Sequence, residues 1–100
     1  MASNDVDVQI VDNPSEDRYE GYVDGALAGF VMYEREPGRL VLVHTEVDEA
    51  FEGQGMGSKL AAGVLDEIRR DGNVIVARCP FIARYISRHP EYGDLVASQH

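Results

Sequence analysis

The sequence predicts an α/β (α+β) domain built on a mixed, mostly antiparallel sheet of about five strands with two helices, strands four and five being parallel. Three observations predict it. In the first half, apolar residues recur every second position between turn signals, the period of half-buried strands. After a glycine-rich loop the spacing becomes helical, with Leu60, Ala61, Val64, Leu65 and Ile68 on one stripe. A short strand from Val74 to Arg78 follows that helix, so a right-handed crossover can return it parallel to the strand before the loop.

The elements follow in order. Val6, Val8 and Ile10 alternate with Asp7 and Gln9 as a first strand, which Asn13-Pro14-Ser15 ends in a turn. Tyr19 to Val23 and Ala26 to Tyr33 flank Asp24-Gly25, a pair suited to a type I′ hairpin. Glu36-Pro37-Gly38-Arg39 makes the next turn and leads into a fourth strand, Leu40 to Val47, whose first residues are apolar on both faces as in a central strand. Asp71-Gly72 closes the first helix with a left-handed cap. Pro80 opens a second helix that runs to about Arg88, where His89-Pro90 stops it.

Composition narrows the function classes. One hundred residues, 44% of them hydrophobic, suffice for one domain, residues 1–100, and one modest core. No apolar run reaches the roughly 20 residues of a membrane span, and the first residues lack the basic start and apolar stretch of a signal peptide, so the expected location is cytoplasmic. The single cysteine, Cys79, can form neither an internal disulfide nor a thiolate metal cage, and no metal is expected. Of the net charge of -9, all the excess lies in residues 1–50, which hold twelve acids against three arginines. Such a chain repels nucleic acid, whose binding needs clustered cations.

The strongest chemical signal is Glu52-Gly53-Gln54-Gly55-Met56-Gly57-Ser58-Lys59. Three glycines at alternate positions at a helix start each sacrifice up to about 1 kcal/mol of helix propensity relative to alanine. The plain reading is a flexible turn. The alternative is a phosphate cradle, because bare N–H groups at a helix N-terminus form an anion site and absent side chains let a pyrophosphate approach. A Walker loop is excluded because Ser58-Lys59 follows Gly57 in reversed order, and a dinucleotide fingerprint fails because Ser58 stands where its third glycine belongs.

The loop resembles the acetyl-CoA motif of the GNAT N-acetyltransferase superfamily, Arg/Gln-x-x-Gly-x-Gly/Ala. His44-Thr45-Glu46-Val47 before it, with Cys79-Pro80-Phe81, Tyr85-Ile86 and Arg88-His89-Pro90-Glu91-Tyr92 after it, resemble the minimal branch of about 100 residues. The likeness covers about residues 19–95. It implies that strands four and five splay apart around the pantetheine arm of acetyl-CoA, the co-substrate, with Val47 bonding that arm through its backbone. It also implies that Gly53, Gln54, Gly55, Met56, Gly57 and Ser58 face the pyrophosphate. Glu52 departs from the motif, whose first position is basic or amide, and is expected to point away. Lys59 and Arg88 are candidate basic aids. The helices that wall the acceptor site in larger relatives are missing, so the acceptor side should be open.

Amine acetylation needs a base for the amine and an acid for the leaving thiolate. Glu46 and His44 share one face of their strand and are candidate bases. Tyr85 matches the tyrosine that serves as acid in many relatives, and Cys79, next to a helix start, is a candidate covalent acceptor. Each also has an ordinary role: a core cysteine, solvated residues at a strand end, a packing tyrosine. The acidic first half points to a cationic amine or basic peptide as acceptor. A catalytically idle acyl-CoA-binding or interaction module would need the same loop and splay.

Overall fold

Alternation in the first half resolves into four antiparallel strands that a fifth joins in parallel. In a computed structural model, which describes residues 7–97, these are β1 (Gln9–Asn13), β2 (Arg18–Val23), β3 (Ala26–Glu36), β4 (Arg39–Val47) and β5 (Val74–Ala77), in one sheet of that order. The helices are α1 (Met56–Arg70) and α2 (Pro80–Arg88), and short 3-10 turns span Glu49–Phe51 and Pro90–Leu95.

Val6 lies outside the described residues, and β1 begins only at Gln9, later than the alternating run suggested. Pairing moves the strand: its register with β2 extends to Asn13↔Arg18, and the Asn13 side-chain amide donates to the Glu20 carboxylate at 3.0 Å. Asn13 therefore ends a strand instead of opening the turn. Asp24 and Gly25 have φ of 50° and 83°, as a type I′ hairpin requires. Prediction and structure agree on α2.

The stripe of α1 (Leu60, Ala61, Val64, Leu65, Ile68) packs with Tyr19, Val31, Tyr33, Leu40 and Leu42 of the sheet and with Ile82 and Ile86 of α2 in one buried cluster. Two close approaches make this possible. A Cβ on Gly29 would lie 3.0 Å from Leu60 Cδ2, and one on Gly63 would lie 2.7 Å from Ile10 Cγ1. Both helices thus pack on the same face of the sheet. The opposite face carries Glu20, Phe30 and Glu46 in one row and Arg18, Met32 and His44 in the next. Val43 is an extra residue in β4, because Met32 pairs with His44 while Tyr33 pairs with Leu42.

Candidate functional site

Strands β4 and β5 part early. Their pairing runs only from Arg39↔Val74 to Leu42↔Ala77, after which the N–H groups of Arg78 and Cys79 both donate to the Leu42 carbonyl, at 3.0 and 2.8 Å. Cys79 then caps α2, and Pro80 turns the chain away from the sheet. Beyond Leu42, β4 continues to Val47 and, among the described residues, no strand lies beside it on that side. The Asp48 N–H donates to Ala28 on the β3 side at 2.8 Å. Alternation therefore turns the backbone N–H and C=O of Val47 and Thr45 into the opening.

The opening leads to a cavity of about 310 Å³ whose walls include Val47, Glu52, Gly53, Gly55, Gly57 and Phe81. Its three glycines are there for different reasons. Gly53 and Gly55 have φ of 84° and 70°, a region other residues enter only under strain, with open space where a Cβ would project. Gly57 lies inside α1, where a Cβ would stand 2.9 Å from Phe81 Cζ. Gly55 caps α1 without a side-chain hydrogen bond, and no acid occupies the first turn. The first N–H groups of the helix thus keep their donor capacity and the positive end of the helix dipole.

The other loop residues divide. Met56 is buried against Val23 and Ala28 and also lines the cavity, and exposed Ser58 stands on its wall. Gln54 turns its amide toward the Ala50 carbonyl at 3.5 Å, and neither it nor Lys59 lines the cavity. Glu52 is exposed and borders the cavity. With its N–H bonded to the Glu49 carbonyl, it ends the 3-10 turn just at the rim.

His44 Nε2 lies 2.9 Å from Glu46 Oε2, both side chains more than half exposed, on the face away from the helices. Glu46 also borders a hollow of about 90 Å³ with Leu27, Phe30, Val47 and Asp48. Val47 is common to this hollow and to the larger cavity, so β4 itself forms the partition between them. Cys79 is 3% exposed, and its Sγ lies 3.3 Å from Thr45 Oγ1. Thr45 was not singled out in the sequence. Its position between His44 and Glu46 was the available signal, since alternation must turn it to their opposite face.

Tyr85 does not join this group. It faces a second depression, of about 120 Å³, lined also by Ser58, Phe81, Arg84, Arg88 and His89. Its place in the second turn of α2 directs it past Phe81, and its ring stacks on His89 with centroids 4.0 Å apart. Burial, then the charges of Glu91 and Asp66, push its phenol pKa above the ordinary value. Arg88 belongs to this depression too, so the two expected basic aids are separated. Among the described residues no group of three or more His, Cys, Asp or Glu is placed to hold a metal ion, and no helix is long and apolar enough to cross a membrane.

Comparison with known proteins gives the site its context. No curated protein matches the chain at a significant level. A solution NMR structure from Staphylococcus aureus, of a GCN5-like protein provisionally assigned as an N-acetyltransferase, matches with a TM-score of 0.65. The match covers 92% of this chain and 90% of that one at 21% identity, which speaks for a common fold. The family model described as GCN5-related N-acetyl-transferase matches residues 18–95, a span that includes the strand opening, the glycine loop and both helices. A match of that extent makes the earlier likeness a membership, and the chain belongs to the GCN5-related N-acetyltransferase family.

Proposed function

We propose that this chain, residues 1–100 acting as one domain in the cytoplasm, is an acetyl-CoA-dependent N-acetyltransferase whose acceptor is an exposed, cationic amine. One observation carries the reading: a single cavity joins the backbone groups of Val47 to the uncapped start of α1. An amide-bearing arm fits the free edge of β4 as an added strand would, with Val47 N–H as donor. A pyrophosphate fits the N–H groups from Gly53 to Ser58, because neither a side-chain cap nor a first-turn acid competes for them.

Acetyl-CoA supplies the acetyl group as an activated thioester. The residues of the chain orient it and move protons around it. Thr45 N–H, turned into the opening like that of Val47, is a donor available to a developing oxyanion. Glu46 and His44 stand on the acceptor face, where the Glu46 carboxylate, or the imidazole hydrogen-bonded to it, takes the amine proton. The acidic rim of the Glu46 and Asp48 hollow favours an acceptor that arrives as an ammonium ion and is deprotonated there. Tyr85, across Phe81, is left out of the proton transfers, so the C–S bond breaks with coenzyme A leaving as its thiolate, which takes a proton from solvent.

The deciding experiment incubates the protein with labelled acetyl-CoA and a panel of polyamines, lysine-containing peptides and neutral amines. Label on an amine supports the reading. Binding of acetyl-CoA without transfer to any amine would replace it with the idle acyl-CoA-binding module.

A further inference from the structure

Alternation sorts the residues of each strand onto two faces of the sheet, and among the described residues both helices cover the same one. Ile10, Val31, Tyr33 and Ile75 pack in the buried cluster with those helices, so their neighbours Val11, Met32 and Val74 point to the other face. These three are the exposed large hydrophobic residues of the described chain, at 47%, 37% and 36% exposure. Apolar residues scattered singly over a surface need no explanation. A set confined to the one uncovered face marks a surface that something else covers.

Val74 lies at the far end of this face, level with Arg39, whereas Val11 and Met32 lie at the end that carries the candidate bases. Met32 pairs directly with His44 and is diagonal to Glu46, at the roughly 7 to 8 Å of such neighbours. On its other side stands Arg18, whose guanidinium lies over the Phe30 ring at 4.4 Å and is held there by Glu20. Val11 ends the row Val11, Glu20, Phe30, Glu46. That row crosses four strands, about 14 Å at the usual spacing and the reach of about four extended residues. The hollow beside Glu46 is only about 90 Å³ and takes little more than the end of one amine-bearing chain. The rest of the face is available to an acceptor that continues beyond its amine.

Charge selects the occupant. On this face Arg18 is paired with Glu20 and Arg39 with Glu36. The charges left over among the described residues are acidic: Glu34, exposed on β3, Glu46, bonded to His44, and Asp48 at the hollow. A second copy of the chain would bring the same acids and a further net charge of -9, which opposes self-association here. A basic polypeptide is drawn to the same charges.

We propose that the helix-free face of the sheet docks the acceptor as an extended, lysine-containing basic polypeptide, with Met32 and Val11 seating apolar side chains that neighbour the lysine. This rests on the reading of the chain as an N-acetyltransferase, and it narrows the acceptor from an exposed amine to a lysine in a basic, partly apolar sequence. Side chains of an extended peptide that meet one surface recur at every second residue, which sets the apolar positions two and four residues from the lysine. The lysine Nζ bonds the acetyl carbon as the C–S bond breaks, its proton passing to Glu46 or His44 and the sulfur leaving as thiolate. Met32 is unbranched and polarisable, so it accommodates different apolar partners and selects a pattern instead of one sequence.

Two blocked peptides test the proposal, each with a single lysine and an arginine at both ends. One has leucine two and four residues to either side of the lysine, the other serine at those positions, with glycine between. Both are compared with spermidine on the wild type and on Met32→Ser, with Val11→Ser as a second variant. Both positions are exposed, so the variants are expected to fold, which circular dichroism checks. Transfer of labelled acetyl gives kcat/KM, and amide NMR titration in the presence of CoA reads binding whether or not transfer occurs. The wild type should favour the leucine peptide over the serine peptide by about tenfold or more, the scale of half-burying two leucine side chains, and should favour it over spermidine. Its amide shifts should centre on Val11, Phe30, Met32 and His44, and Met32→Ser should lower the ratio between the peptides severalfold. Equal treatment of the two peptides, a ratio unchanged in both variants, or spermidine as the better acceptor would overturn the docking face and leave the transferase standing. Peptide-induced shifts on this face without transfer to any acceptor would keep a polypeptide-binding face and remove the transferase reading. Shifts on this face when the protein alone is concentrated would replace the polypeptide with a second copy. Neither binding nor transfer would overturn both.

Discussion

Thr45 Oγ1 and Cys79 Sγ meet at 3.3 Å across the point where β4 and β5 separate. The contact joins the two sides just beyond their last shared backbone acceptor, the Leu42 carbonyl. Thr45 faces the helices, so its neighbours His44 and Glu46 face away. Cys79 and His44 therefore lie on opposite sides of β4 and form no dyad with each other.

That separation favours direct transfer. Cys79→Ser, which preserves a partner for Thr45, should keep acetyl-CoA binding and transfer acetyl within about tenfold of the wild-type rate, the scale of one altered hydrogen bond. Intact-mass spectrometry after incubation without acceptor should show no adduct. An acetyl group confined to Cys79, together with loss of transfer in the serine variant, would establish the covalent route.

Gly57 offers a test of the anion site that separates binding from folding. An added methyl meets only the far end of the Phe81 ring, which can swing, and alanine gains about 1 kcal/mol of helix propensity. Gly57→Ala should therefore retain most of its stability. The displaced ring intrudes on the groove, and affinity for CoA should fall about tenfold or more, the cost of one or two lost contacts to an anion. Equal affinity in a folded Gly57→Ala protein, measured by calorimetry, would remove the phosphate from this position.

Away from the site, Glu20 is 5% exposed and accepts hydrogen bonds from Tyr22 at 2.7 Å, Arg18 at 2.8 Å and Asn13 at 3.0 Å. The Tyr22 bond first, then those of Arg18 and Asn13, hold its pKa below the ordinary 4.5 against the upward push of burial. Because the native pKa is the lower one, the unfolded chain binds more protons in the window between the two values. The stabilisation is thus complete above about 4.5 and is lost as pH falls through the native pKa. Urea titrations should find wild type more stable than Glu20→Gln at pH 7, with the difference narrowing below pH 4.5. A difference that is constant with pH would show that the carboxylate charge contributes nothing.

How far the sequence could be read follows from which interactions are local. Alternation gave the strands, and Asp24-Gly25, Asp71-Gly72 and Pro80 gave the turns and helix ends, because each of these signals acts within a few residues. The parallel return of β5 was legible from the length of the crossover. The end of β1 was not, since Asn13 belongs to the strand through its pairing with Arg18 and its bond to Glu20 on another strand. The glycine loop announced itself by three residues that are costly in a helix start. The position of Tyr85 beyond Phe81, and the convergence of Arg84 and Arg88 with Ser58, depend on how α2 leans on α1, a tertiary relation that spacing within either helix does not encode.

The acceptor side supplies the last test, since it joins a proposed base to a proposed charge preference. Glu46 lies on the face of β4 away from the proposed coenzyme cavity, so Glu46→Gln should leave CoA binding largely intact while slowing transfer. General base catalysis contributes roughly 10² to 10⁴-fold, and the turnover number should fall by about 10²-fold if the paired His44 retains part of the role. The same hollow includes Asp48, and the first half of the chain carries all the excess negative charge, so a cationic acceptor is drawn to it over distances that salt shortens. With a polyamine or lysine-rich peptide, kcat/KM should fall as ionic strength rises, whereas a neutral amine should show a flat dependence. Asp48→Asn should reduce the salt effect with little change in turnover, because Asp48 lines the hollow and its carboxylate accepts from the Ala50 N–H, a bond that the asparagine oxygen can also accept. Equal salt dependence for charged and neutral amines would refute the steering, and full turnover in Glu46→Gln would leave His44 or bulk water as the base.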